Sequence, residues 1–143
     1  MSLTSIQEEE VIKTMEQYTR AYQNKDIESF SAIFSPEISG FGSGPDEVIK
    51  NHQDLIQNIT RDMNQATILS VAFSDRKIFG DGAIAWVTSQ TTMTFTIDGT
   101  TKQTLHGRST MVLRNTGSDY IIEQLHFSLP CKEQSEGQSF PRK

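Results

Sequence analysis

Four long strand-like segments follow one another in the second half of the chain. They cover residues 66–79, 83–97, 101–114 and 120–129. All four are rich in threonine, valine, isoleucine and aromatic residues and contain no proline, which is typical of β-strands. Asp98-Gly99 joins the second segment to the third, and this pair favours a type I′ hairpin turn because both residues accept positive φ. The pattern predicts an antiparallel meander.

These segments exceed the usual strand length of about 3–10 residues. A twisted sheet of long strands has to curl or to pack around other elements. The first half of the chain supplies helices that can fill it. Apolar residues recur there at Val11, Met15, Tyr18 and Tyr22, which is the spacing of one face of a helix.

Two further helix signals follow in the first half. Asp26 is placed to cap a short second helix that ends at Ser35-Pro36, and a brief strand follows over residues 38–41. Pro45-Asp46-Glu47 is predicted to open a third helix, because proline and acidic side chains favour a first turn. We therefore predict an α+β fold. Three N-terminal helices pack in the concave face of a curved antiparallel (mixed) sheet and form a cone-shaped half-barrel.

The chain has 143 residues, which suits a single domain. We predict that the domain covers residues 5–130 and that residues 131–143 are a polar C-terminal tail. The 13 Lys and Arg residues and 18 Asp and Glu residues give a net charge of −5 without a basic run, so nucleic acid is not an expected partner. No stretch approaches the ~20 apolar residues of a membrane span.

Cysteine usage and the N-terminus indicate the compartment. The single cysteine, Cys131, excludes an internal disulfide framework. The first residues contain neither a cationic nor an apolar segment of the secretory kind. We expect a cytoplasmic protein.

The last strand-like segment carries apolar side chains on both predicted faces. One face holds the even-numbered residues Tyr120, Ile122, Gln124, His126 and Ser128, and the other holds the odd-numbered residues from 121 to 129. A sheet covered by helices on one side and by water on the other should have one polar face. A second apolar face therefore predicts a homodimer that associates through the sheet.

Motifs in a fixed order resemble the SnoaL-like domains of the nuclear transport factor 2-like superfamily. The opening helix pair is similar over Tyr18-Thr-Arg-Ala-Tyr-Gln-Asn-Lys-Asp26 and Phe34-Ser-Pro36. The family turn Gly-x-Gly-Pro-Asp-Glu is matched by Gly42-Ser-Gly-Pro-Asp-Glu47. Three segments resemble the closing strands of the family: Gly107-Arg-Ser-Thr110, Val112-Leu-Arg114 and Tyr120-Ile-Ile-Glu-Gln-Leu-His-Phe-Ser128.

The resemblance covers roughly residues 8–130. It implies a cone-shaped α+β barrel, usually dimeric, with a pocket between the concave sheet and the helices. It does not imply one activity, because relatives include ketosteroid isomerases, polyketide cyclases, dehydratases and a kinase association domain. Function therefore has to be argued from the site.

Tyr18 stands eight residues before Asp26, as the oxyanion tyrosine of ketosteroid isomerases stands before a similar aspartate. The resemblance thus implies a catalytic candidate that donates a hydrogen bond to a developing enolate. Tyr18 equally fits a core aromatic on the stripe of the first helix. The carboxylate base of those isomerases is missing, because residues 39–42 are Ser-Gly-Phe-Gly.

The last two strands and Trp86 supply the other candidates. Arg108 would anchor an anionic group if it faced the pocket, and it is otherwise an exposed or intersubunit arginine. Histidine is the usual side chain for proton transfer near neutral pH, so His126 is a catalytic candidate, or else a structural histidine. Gln124 and Ser128 share its predicted face as ligand-binding candidates. Trp86 either stacks on a flat ligand or anchors a dimer.

No metal or cofactor signature occurs in the sequence. His52, His106 and His126 lack metal-ligand spacing, and we find no phosphate-binding or dinucleotide-binding loop. We predict neither metal nor cofactor.

The sequence predicts a pocket protein for a small, partly apolar ligand, with Arg108 as the anchor if that ligand is anionic. Tyr18, Gln124 and His126 would complete the polar lining. One alternative is a cofactor-free acid–base enzyme of the isomerase, cyclase or dehydratase type, acting on a carbonyl compound with His126 moving the proton. The other alternative is a homo-oligomerising association module.

Overall fold

The computed structural model describes residues 2–142, and within them the chain forms three helices and six strands. The helices are α1 (Ser5–Gln23), α2 (Ile27–Ala32) and α3 (His52–Gln65). The strands are β1 (Phe34–Phe41), β2 (Val48–Ile49), β3 (Thr67–Gly80), β4 (Ile84–Thr96), β5 (Gln103–Asn115) and β6 (Tyr120–Ser128). The described residues after Ser128 form no helix or strand.

The strands form one curved, open sheet in the order β2-β1-β6-β5-β4-β3. β3 to β6 are the predicted antiparallel meander, whereas β1 runs parallel to β6 and makes the sheet mixed. The connections contain Gly82, Gly99 and Gly117 at φ +97°, +85° and +101°, a region that glycine enters without steric cost. The predicted meander is confirmed.

A side-chain cap precedes each of the first two helices, and the cap of the second was predicted from the sequence. Thr4 and Gln7 form a reciprocal capping box at the start of α1. The carboxylate of Asp26 accepts the backbone N–H of Ser29 at 3.1 Å and caps α2 as predicted. The hydroxyl of Thr14 donates to the carbonyl of Tyr120 at 2.7 Å, which ties α1 to the final strand.

The third helix begins later than the sequence predicts. It starts at His52, because Asn51 is its cap and accepts the N–H of Asp54 at 2.9 Å. The predicted start at Pro45-Asp46-Glu47 is wrong. These residues belong to a turn closed by the bond from Gly42 N–H to the carbonyl of Glu47 at 2.9 Å, and the short strand β2 follows.

The core lies between the helices and the concave face of the sheet. It joins apolar side chains of all three helices to alternate residues of the central strands. Its fully buried large side chains include Val11, Met15, Phe30, Ile38, Leu55, Val87, Met111, Leu113 and Ile122. This packing fills one end of the cone and confirms the predicted α+β architecture.

An extra residue in β6 reverses the alternation of its side chains. Val112 pairs with Gln124 and Leu113 pairs with Ile122, so Glu123 has no partner in the strand register, although its carboxylate accepts a hydrogen bond from Arg114 of β5. Such a bulge places two successive residues on the same side of a strand. Ile122 and Leu125 are both buried in consequence, although their numbers differ in parity. The prediction that all even-numbered residues of this strand share one face is therefore wrong.

Candidate functional site

A cavity of about 310 Å³ lies at the open end of the cone, between α1, α3 and the concave face of the sheet. We call it the cone pocket. Its wall is mostly apolar and aromatic. The apolar residues are Phe41, Ile49, Leu55, Ile59, Ala66, Ile68, Val71, Phe73, Met93, Phe95, Ile97, Leu105, Leu125 and Phe127.

The main polar feature of the cone pocket is a tyrosine–aspartate pair. The hydroxyl of Tyr22 on α1 donates to Oδ2 of Asp62 on α3 at 2.7 Å. Asp62 lies one helical turn beyond Asn58 and Ile59 on the α3 face that lines the cavity. An acidic side chain thus takes a place on the inward face of the helix and is half-buried there.

Tyr18 lies beside this pair. Its ring stacks on Tyr22 with centroids 6.0 Å apart and planes 8° apart, and it meets the edge of Phe73 at 5.3 Å. Tyr18 is one of the residues that line the cavity. Tyr18 therefore combines the two roles that the sequence left open: a packed aromatic ring and a polar group at the pocket.

Burial shifts the protonation of these three groups. It raises the pKa of Asp62, and the charge of Glu47 adds to that effect, while the Tyr22 hydrogen bond and Arg61 oppose it. Burial and the nearby charge of Asp62 also raise the pKa of Tyr18 and of Tyr22. The two tyrosines therefore stay protonated as hydrogen-bond donors, and Asp62 is a stronger proton acceptor than an exposed aspartate.

Hydroxyl groups form a second polar patch on the floor of the cone pocket. The Oγ of Ser109 lies 2.9 Å from the Oγ of Ser89 and 3.0 Å from the Oγ1 of Thr91. Thr91 and Ser109 line the cavity. Hydroxyls can donate or accept, so this patch suits a neutral polar group of a ligand.

The mouth of the cone pocket carries an ion-pair network. Arg61 contacts Asp46 at 2.7 Å and Glu47 at 3.2 Å. Glu47 lines the cavity, whereas the guanidinium of Arg61 lies outside its lining. The network fixes the 42–47 turn against α3.

The predicted site residues do not lie together. Tyr18 lines the cone pocket, and none of the other five does. Those five are Trp86, Arg108, Gln124, His126 and Ser128. The prediction that Arg108, Gln124 and His126 share the pocket with Tyr18 is wrong. The Glu123 bulge turns Gln124 and His126 outward, whereas Arg108 faces outward because it alternates on β5 with Ser109, which lines the cavity.

The five residues instead lie on the convex face of the sheet. The register pairs Arg108 with Ser128 and Val112 with both Gln124 and Trp86. His126 is exposed there, with its ring 5.4 Å from that of Phe41. Trp86 stacks on Phe79 at 6.1 Å, and the two are 38% and 50% exposed. We call this surface the outer face.

The remaining histidines are remote from the cone pocket. Nε2 of His52 lies 3.2 Å from the hydroxyl of Ser31, which links α3 to α2. His106 is exposed on the outer face beside Thr92. Within residues 2–142, no three His, Cys, Asp or Glu side chains are grouped as metal ligands would be, and no helix is long and apolar enough to span a membrane.

Three residues that line the cone pocket were not predicted from the sequence: Asp62, Tyr22 and Glu47. A signal for Asp62 was present, since it lies on the inward α3 face between Ile59 and Met63. An acidic residue there costs stability unless it has a partner or a use. Glu47 gave no such signal, because its place depends on the turn before β2.

Solved structures with the same cone identify the fold class. A proposed dehydratase of the nuclear transport factor 2-like family from Streptomyces avermitilis matches with TM-score 0.76 and 16% identity, over 90% of this chain and 99% of that one. A proposed scytalone dehydratase from Novosphingobium aromaticivorans matches with TM-score 0.77 and 12% identity, over 95% and 93%. At such identities the likeness establishes the nuclear transport factor 2-like fold alone.

A third similar structure has a different role in its name. It is a proposed calcium/calmodulin-dependent protein kinase II association domain from Xanthomonas campestris, with TM-score 0.76 and 15% identity, over 86% of this chain and 87% of that one. No curated protein matches the sequence. The model of the SnoaL-like domain matches residues 11–132, so the chain belongs to the SnoaL-like family.

The raised pKa of Asp62 predicts the stability of a charge-free variant. The native chain binds this proton more tightly than the unfolded chain, so wild type loses stability as the pH rises from the ordinary pKa of 3.8 through the raised value. We expect Asp62→Asn to unfold at higher denaturant than wild type at pH 7 and to lose this advantage below pH 4. Urea titrations at both pH values measure it.

Asp98→Asn is the matched control for this charge removal. Asp98 accepts the N–H groups of Thr100 and Thr101 at 2.8 and 2.7 Å, and these bonds lower its pKa. The ionised side chain of Asp98 therefore stabilises the fold, unlike that of Asp62. This stabilisation is present at neutral pH and is lost on acidification, so Asp98→Asn should be less stable than wild type at pH 7. A destabilised Asp62→Asn at pH 7 would contradict the effect of burial on Asp62.

Proposed function

We propose that the protein binds a small, partly apolar molecule in the cone pocket. The observation that carries the proposal is a 310 Å³ cavity with an apolar wall and a few converging polar groups: Tyr18, Tyr22 and Asp62. Ligand pockets in proteins commonly have volumes of about 300–1,000 Å³ and this mixture of wall and polar anchor. A cavity of this volume has room for a molecule of one to three rings.

The polar groups limit what this ligand carries. Arg108 was the predicted anchor for an anion, and it lies on the outer face. The pocket offers the hydroxyl of Tyr18 as a donor and the oxygens of Asp62 as acceptors, since the hydroxyl of Tyr22 already donates to Asp62. We therefore propose a ligand that carries a hydrogen-bonding group on an apolar body and has no anionic group.

A bulky substitution inside the cavity tests this function. Met93 lines the cone pocket, so Met93→Trp should reduce the binding of the neutral apolar dye N-phenyl-1-naphthylamine at least tenfold by filling the space. Dye fluorescence on titration measures the affinity. Thr92→Trp is the control, since Thr92 lies on the opposite face of the same strand, beside His106. Equal dye affinity in the two variants would place the binding outside the pocket.

The outer face supports a second proposal, a homodimer. Trp86 and Phe79 are 38% and 50% exposed on it and stack on each other, which is a large exposed aromatic area for a monomer. Arg108, Gln124, His126 and Ser128 would then be interface residues. A relative named as an association domain agrees with this use of the fold. The domain limits of 5–130 and the cytoplasmic location remain parts of the proposal.

A charge at the centre of the outer face tests the dimer. Trp86→Glu should convert a dimer into a monomer in native mass spectrometry, because a carboxylate opposite its own copy is repelled and desolvated. Thr100→Glu, in the turn between β4 and β5, is the control and should leave the dimer intact. A monomeric wild type would refute the proposal directly, and the same spectra reveal any retained ligand.

Cofactor-free acid–base chemistry is a further candidate for the cone pocket. Its support is the buried carboxylate of Asp62 beside the protonated hydroxyl of Tyr18. Asp62 would take the proton from the carbon next to a ketone, the electron pair would move onto the carbonyl oxygen, and Tyr18 would hydrogen-bond the enolate. This assigns the base to α3 and not to His126.

Solvent exchange tests the chemistry without knowledge of the substrate. In D₂O the protein should exchange the hydrogens next to the carbonyl of 4-phenyl-2-butanone, as followed by proton NMR. Asp62→Asn should abolish the catalysed exchange, and Tyr18→Phe should slow it about 10²-fold or more. His126→Ala is the control and should leave it unchanged. Exchange that depends on His126 would transfer the chemistry to the outer face.

A further inference from the structure

We infer that the cone pocket selects a cation: a small amine, protonated at neutral pH, with an apolar or aromatic body. This inference rests on the proposed binding function and names the class of ligand. Its basis is the sign of the charges that line the cavity and the environment of Asp62.

The charged side chains of the cavity wall are all acidic. Among the described residues that line it, Asp62 and Glu47 are the only charged ones, and no lysine, arginine or histidine is present. The polar groups contributed by α1 are Tyr18 and Tyr22, and those of the sheet are the hydroxyls of Thr91 and Ser109. No element around the cavity presents a cation to it.

Among the described residues, the cation near the cavity is Arg61, and it already pairs with two carboxylates. Arg61 contacts Asp46 through two bonds, at 2.7 and 3.3 Å, and Glu47 through a third at 3.2 Å. One guanidinium thus offsets two carboxylates, and neither of its contacts is with Asp62. Together Asp46, Glu47, Asp62 and Arg61 carry a net charge of −2 at the α3 side of the pocket.

Asp62 has a neutral partner and spare acceptor capacity. Among the described residues its carboxylate receives one side-chain hydrogen bond, from Tyr22 to Oδ2. An ionised carboxylate has about four lone-pair sites, so Oδ1 is available to a further donor. A half-buried carboxylate without a counter-charge is destabilising, and an ammonium group that enters beside it supplies both the charge and the hydrogen bonds.

The aromatic wall suits the same ligand. Tyr18 and Tyr22 stack beside Asp62, and Phe73 meets the edge of Tyr18 at 5.3 Å. Aromatic faces attract ammonium groups and pack well against flat apolar bodies. An anionic ligand would meet two carboxylates in the cavity with no cation in its wall.

Three probes of nearly equal shape and different charge test the inference. They are 2-phenylethylamine, 2-phenylethanol and 3-phenylpropionate, titrated into the wild-type protein at pH 7 and followed by calorimetry or NMR. We expect the amine to bind at least tenfold more tightly than the alcohol and the carboxylate to bind most weakly. In Asp62→Asn the amine and the alcohol should bind within about threefold of each other, because the charge that favours the amine is gone.

Two variants control for charge and for local structure. Asp119→Asn removes one negative charge from the exposed turn between β5 and β6 and should preserve the preference for the amine. Tyr22→Phe keeps the carboxylate of Asp62 and removes its donor, so it should also preserve the preference. This variant keeps the inference testable if Asp62→Asn does not fold.

The outcomes separate the inference from the function beneath it. If the alcohol or the carboxylate binds as tightly as the amine, or if Asp62→Asn retains the preference for the amine, the inferred selection of a cation is refuted. The proposed binding function of the pocket still stands. If Tyr22→Phe loses the preference, the donor and not the charge controls it, and the inference is equally refuted. If no probe binds and the dye of the preceding test does not bind either, both the function and the inference fail.

Discussion

Glu123, the extra residue of β6, has no partner in the strand register, and its position determines which side chains of β6 face the helices and which face outward. Before the bulge, Tyr120 and Ile122 face the helices and close the packed end of the cone. After it, Leu125 and Phe127 face the same way and line the cavity. Without the extra residue, Gln124 and His126 would face inward, and the cone pocket would have a polar strand across its floor. The bulge therefore keeps the concave face apolar along the whole of β6.

An apolar concave face gives its few polar groups a large effect. Tyr22 and Asp62 come from α1 and α3 and meet at 2.7 Å beside a cavity whose wall is mostly apolar. In such surroundings a carboxylate interacts more strongly with charges and donors than it would in solvent. The same burial costs folding free energy, which is the usual relation between a binding site and stability. The ion-pair network of Arg61 with Asp46 and Glu47 stabilises the mouth, while among the described residues Asp62 has no direct ion pair.

Local signals in the sequence predicted the elements well and the site poorly. The meander followed from composition and from Asp98-Gly99, and Asp26 was correctly placed as a cap, because turns and caps depend on neighbouring residues. The start of α3 was missed, since Pro45-Asp46-Glu47 resembles a first turn until Arg61 is seen to hold both acids. The face of His126 could not be predicted, because a bulge depends on the pairing of two strands. The Tyr22–Asp62 pair joins residues 40 positions apart and has no local signature.

Neighbouring residues of one strand serve different surfaces in this fold. Ser109 lies at the floor of the cone pocket, whereas Arg108 is exposed on the outer face. The adjacent residues Thr91 and Gln90 of β4 are divided between the two surfaces in the same way, because Gln90 pairs with Arg108 in the strand register. Side chains on one face can therefore change without altering the lining of the other, provided that the bulge and the strand register are kept. This separation makes the two proposed uses of the fold compatible, because ligand binding would involve the concave face and association the outer face. A ligand of the kind proposed would meet only the concave face, where the charged residues that line the cavity are acidic.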